Sequence, residues 1–113
     1  MSFLSEIKGV VTSCGLPVET GVFKGKAPNE YVVVTPMGDS LEVHADNRPG
    51  YEIEEARLSL FVKGNYTTQK KKLMKELLDR DFTITDGRYI GHENDTDFHH
   101  YAIDVAKHYE MEE

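Results

Sequence analysis

The stretch Tyr51-Glu52-Ile53-Glu54-Glu55-Ala56-Arg57-Leu58-Ser59-Leu60-Phe61-Val62 alternates apolar and polar residues but changes phase midway. Tyr51 and Ile53 hold odd positions, whereas Ala56, Leu58, Leu60 and Val62 hold even ones. Successive side chains of a strand point to opposite faces, so a change of phase needs an extra residue or a bend. The reading is one long strand with a β-bulge near Glu54-Glu55. Its outlying half, with a hairpin partner around His44, is expected to project from the domain body.

Upstream, Leu41, Val43 and Ala45 face one way and Glu42, His44 and Asp46 the other, a second strand closed by the turn Asn47-Arg48-Pro49-Gly50. Before it, Pro36-Met37-Gly38-Asp39 reads as a turn, and Tyr31-Val32-Val33-Val34-Thr35 as a β-branched strand. A polar connection from Glu19 to Asn29 precedes that strand. The chain opens with a helix whose apolar stripe is Leu4, Ile7, Val10 and Val11, capped by Ser2 or Ser5 and stopped at Gly15 and Pro17.

Downstream, Gly64-Asn65-Tyr66 ends the long strand, and Thr67 or Thr68 is expected to cap a second helix. Leu73, Met74, Leu77 and Leu78 form its expected buried stripe. Lys70, Lys71, Lys72 and Lys75 take the solvated side, and Glu76 is placed to pair with Arg80. Strands from Phe82 to about Tyr89 and from Phe98 to about Val105 follow. The expected fold is α+β, a mostly antiparallel sheet packed on two helices, in the order α-β-β-β-α-β-β with a projecting hairpin.

The 113 residues suit one domain spanning 1–113, since two would each bury too little core. Hydrophobic residues at 39% and charged residues at 29% are ordinary for a globular chain, not a disordered one. No apolar run approaches the roughly 20 residues that cross a bilayer, and Met1-Ser2-Phe3-Leu4-Ser5-Glu6 lacks a signal peptide's basic flank and apolar core. The single cysteine, Cys14, cannot form an internal disulfide and fits a reducing compartment. A net charge of −7 argues against a nucleic-acid-binding surface, while suiting a protein past which nucleic acid slides.

The segment His92-Glu93-Asn94-Asp95-Thr96-Asp97-Phe98-His99-His100 concentrates metal-ligand types. It has neither HExxH spacing nor a calcium-loop pattern, and adjacent histidines on a strand face opposite ways. A polar hairpin tip is the plainer reading, with no metal and no cofactor. His44 and Asp46 share a strand face, as a base and its orienter would, but no nucleophile motif accompanies them. Gly21-Val22-Phe23-Lys24-Gly25-Lys26 lacks the Gly-Lys-Ser/Thr ending of a phosphate loop. The lysine-rich helix face set against acidic strands suits head-to-tail association.

Several stretches together resemble a family: Asp46-Asn47-Arg48-Pro49, Arg57 to Thr67, Asp81-Phe82-Thr83-Ile84-Thr85, Tyr89 to Thr96 and His99 to Ala106. From about Leu16 onward the chain is similar to small tail-morphogenesis proteins of phages and prophages of Gram-positive bacteria. The element order resembles that of the tail terminator, or tail-completion, proteins of long-tailed bacteriophages. That resemblance implies a non-enzymatic structural protein forming a ring, hexameric in that family, which caps the tail tube and joins it to the head. Its partners would be further copies of itself, the tail tube protein and head connector proteins, with DNA passing through unbound and no membrane contact. It would work in the host cytoplasm during assembly and in the virion tail.

On this reading Tyr51, Ile53 and Phe98 are candidate subunit-interface residues, and Glu42, Asp46, Glu52 and Glu54 candidate lumen-facing acids. A head–tail connector or minor tail component is the nearest alternative. A metal-dependent hydrolase or nuclease using His92, Asp97, His99 and His44 is the alternative of another class, and a monomeric adaptor domain a third.

Overall fold

The computed structural model describes residues 2–43 and 49–110, the side chains of 40–43 and 49–51 excepted. Helix α1 (Phe3–Ser13) begins where the Ser2 hydroxyl accepts the Ser5 N–H, and it buries Phe3, Ile7, Val10 and Val11. Gly15, at φ +77°, turns the chain out of the helix, as the left-handed region favours at such ends. Strands β1 (Val18–Thr20), β2 (Glu30–Val43) and β3 (Pro49–Lys63) follow, then α2 (Thr67–Asp79), β4 (Thr83–His92) and β5 (Phe98–Glu110).

The fold is the α+β class expected, in the order α-β-β-β-α-β-β. The five strands form one sheet in the order β1-β2-β3-β5-β4, antiparallel except for the β1–β2 pair. Both helices lie on one face. They cover Val32 and Val34 of β2, Ala56, Leu58, Leu60 and Val62 of β3, and Ile103 and Val105 of β5. Full burial of each large side chain here contributes about 1.5–3 kcal/mol.

The strands are cut differently from the sequence reading. Pro36-Met37-Gly38 is not a turn; β2 runs through it as one strand of 14 residues. Pro36 pairs with Ala56 and Gly38 with Glu55, which leaves Met37 as the extra residue. The bulge expected on β3 near Glu54-Glu55 therefore lies on its partner, opposite Ala56 and Glu55, and β3 keeps one phase. Pro and Gly mark bulges as readily as turns, since Pro donates no ladder hydrogen bond and Gly38 takes φ +138°. β3 itself pairs with β5 without interruption from Tyr51↔Glu110 to Lys63↔Phe98. Even positions of β3 thus face the helices throughout, Glu52 and Glu54 among them. Odd positions, including Ile53, Arg57 and Phe61, face the other side.

Four further expectations are corrected. Val18–Thr20, overlapping the start of the Glu19–Asn29 stretch read as polar connection, is a short strand parallel to β2. Helix α2 is capped by neither threonine; its N-cap is Tyr66, and the Asn65 side chain accepts the Thr67 N–H at 3.0 Å. Leu78 is 58% exposed while Leu77 is fully buried, because the buried stripe of α2 closes on Leu73 and Leu77. β5 also runs on to Glu110, so the outer hairpin carries a third strand along its inner edge. The result is elongated: the radius of gyration is 15.5 Å, against about 13 Å for a compact chain of this length.

Candidate functional site

The sheet face away from the helices carries an aromatic cluster on the odd residues of β2 and β3 and the even residues of β5. Tyr31 stacks on Phe61 at 4.9 Å, and Phe61 on His100 at 4.3 Å. Phe98 meets Tyr31 edge-on at 5.4 Å. Phe23, on the loop between β1 and β2, closes onto Tyr31 at 4.7 Å. Between that loop and the sheet lies a groove of about 360 Å³ lined by Val22, Phe23, Ala27, Tyr31, Val33 and Phe61 among others, and Val22 at its lip is 64% exposed.

Arg57 donates two hydrogen bonds to Asp104, at 2.7 and 3.0 Å. That bonding holds the Asp104 carboxyl below its ordinary range. Asp104 is buried. His100 keeps its Nε2 buried without a hydrogen-bond partner, and burial pushes its pKa below the usual imidazole value. Lys63 sets its ammonium 5.0 Å from the Phe98 ring centroid.

The interface residues expected from sequence divide. Ile53 and Phe98 both lie on this face, but Phe98 is 6% exposed and supports the cluster from within. The side chain of Tyr51 lies outside the described residues, as does that of Glu42, and so does Asp46 entirely. Of the expected lumen acids, Glu52 and Glu54 are brought together with Asp39, their carboxylates within 4.8 Å of one another on the helix side of the sheet. Burial, and then the charges of Glu52, Asp39 and Glu6, push the Glu54 pKa up.

The histidine-rich segment does not converge on one point. His92 Nε2 lies 2.6 Å from Asp97 Oδ1, an interaction that lowers the Asp97 pKa. His99 turns to the Tyr89 hydroxyl at 2.9 Å, in a ring cluster with Tyr66, Tyr89 and His92. His100 faces the opposite side of the sheet, as adjacent strand residues must. Of the set considered for a hydrolase, His92 touches both Asp97 and His99, the two imidazole rings 4.6 Å apart, but their ligand atoms do not all come within 4.8 Å of one another, and His44 lies outside the described residues. Cys14 is buried at the end of α1, and its pKa is raised by burial, so it packs as a small apolar group.

The aromatic face was missed from sequence because Tyr31 to Thr35 reads as uniformly buried. Its signal was parity: Tyr31 and Phe61 are out of phase with Val32, Val34, Leu58 and Leu60, which form the core. Among the described residues no helix is long and apolar enough to cross a membrane. A comparison of the sequence with protein-family models gives no match, and neither does a comparison with curated proteins.

Proposed function

We propose that this chain is a structural assembly protein that works by self-association, a tail-terminator-like ring subunit which caps a phage tail tube and joins it to the head. The observation that carries this reading is the bare sheet face. Helices cover one side of the sheet, while the other presents an aromatic cluster and a groove with an exposed Val22 at its lip. Apolar faces of this kind mark protein interaction sites.

Two other features support it. The elongated body is built on strands of 14 and 15 residues, a shape that reaches past one neighbour's surface. The net charge of −7 suits a ring through which DNA slides without sticking. The absolute mass in solution, measured by light scattering from low to high micromolar concentration with negative-stain images of any large species, tests the proposal. Closed rings of five or more subunits are expected. A strict monomer both alone and in the presence of assembled tail tubes overturns it.

A further inference from the structure

We propose that subunits join back to front, the acidic β2–β3 arm of one copy seated on the lysine-rimmed aromatic face of the next; this rests on the self-associating reading above. The two surfaces lie on opposite sides of the same sheet. Asp39, Glu52 and Glu54 share the helix side near the outer end of the arm, and the aromatic cluster occupies the other side toward the base. Stacking identical sheets back to front, displaced along the strands, brings one surface onto the other, and each joined pair keeps one of each free for a further neighbour.

Charge selects this occupant. The loop that borders the groove carries Lys24 and Lys26, both exposed, on either side of Gly25, and Lys63 lies over Phe98. No ion pair between described residues involves any of the three. Acids stand near this face, with the charge of Glu93 reaching Tyr31 and His100, that of Asp97 coupled to Lys63, and Glu19 paired with Val33 beside the groove, but among the described residues none of them forms an ion pair with the three lysines. On the arm, three carboxylates crowd within 4.8 Å, and no described lysine or arginine forms an ion pair with them. An isolated subunit thus holds lysines without an ion pair on one side and carboxylates without one on the other, and a second copy pairs them.

Backbone chemistry points the same way. β1 covers only Val32 to Val34 of β2. From Thr35 outward, the edge of β2 has no neighbouring strand among the described residues, which offers its ladder groups to another chain. Such a head-to-tail contact closes into a ring when the rotation between copies divides a full turn, and otherwise runs on as a filament. This geometry assigns Glu52 and Glu54 to the joint between subunits, in place of the lumen expected from sequence.

The test is a complementation of reversed charges followed by sedimentation velocity. Lys24→Glu/Lys63→Glu removes one surface and Glu52→Lys/Glu54→Lys the other, with circular dichroism and thermal melts verifying that each variant folds. Each variant alone is expected to sediment as a monomer where the wild type assembles. Mixed in equal amounts, the two meet through one wild-type joint and one in which both charges are reversed and still opposite, so assembly of alternating subunits is expected to be restored. Full assembly of each variant on its own, or a mixture that stays monomeric, overturns the joint and leaves the ring reading standing. If the reversed-acid variant forms intact rings that retain DNA at low salt, those acids line the lumen and the joint is overturned. A wild type that never self-associates overturns both.

Discussion

Arg57 and Asp104 face each other across β3 and β5 through a two-point bond, 2.7 Å from Nε and 3.0 Å from Nη2. The pair is asymmetric: the Asp104 side chain is 12% exposed and that of Arg57 36%. Deleting the arginine strands a buried carboxylate, whereas deleting the carboxylate leaves a guanidinium that water can reach. Arg57→Ala is therefore expected to lower the melting temperature more than Asp104→Ala does. Equal losses from the two variants, or the reverse order, would show that the pair lies open to solvent.

The helix α2 prediction tests where its buried stripe ends. Leu77 is fully buried, and Leu77→Ala is expected to cost about 2–5 kcal/mol, as large-to-small changes in a core do. Leu78 is 58% exposed, and Leu78→Ser is expected to change stability by no more than about 0.5 kcal/mol. Urea unfolding midpoints at constant m-value measure both. A loss at Leu78 comparable to that at Leu77 would restore the stripe read from sequence.

That contrast illustrates what the sequence made legible. Periodicity located both helices and the long strand, because burial repeats at 3.6 and at 2 residues. It could not fix which of two adjacent leucines closes the stripe of α2, since that depends on how the helix is rotated over the sheet. Pro36-Met37-Gly38 carried the right signal with the wrong meaning, because a bulge and a turn both exploit a missing donor and a positive φ. The aromatic face was hidden for another reason: Tyr31 and Phe23 are far from Phe98 in the chain, and only strand pairing brings them together. The acidic trio was half legible, with Asp39 added by the bulge that restores its register opposite Glu54.

Gly87 sits where β4 passes under α2 and Tyr101. A Cβ there would lie 2.9 Å from the Met74 terminal methyl and 3.0 Å from the Tyr101 hydroxyl. The methionine methyl can swing aside, but the tyrosine ring is held between Tyr66 and Lys70. Gly87→Ala is expected to cost about 1 kcal/mol, the low end of overpacking. In the background of Met74→Ala, the added methyl should be better tolerated. A double-mutant cycle measures that coupling, and strict additivity would place the strain elsewhere.

His100 should make the protein acid-sensitive well above the carboxylate range. Its ring stacks on Phe61 at 4.3 Å with Nε2 buried and unbonded, and burial lowers its pKa below the ordinary 6.5. The folded state therefore binds this proton less readily than the unfolded chain. Stability from the neutral ring is full above about pH 6.5 and is lost as the pH falls toward and through the lower folded value. Asp97 and Asp104, also lowered, lose their contributions only below the ordinary carboxylate value of 3.8. His100→Phe keeps the stack and removes both the titration and the unbonded nitrogen. Its unfolding free energy is expected to equal or exceed that of the wild type near neutrality, and to fall less between pH 7 and pH 5. Parallel pH profiles for the two proteins, measured by urea unfolding, would show that His100 takes up its proton in the folded state as readily as in the unfolded chain.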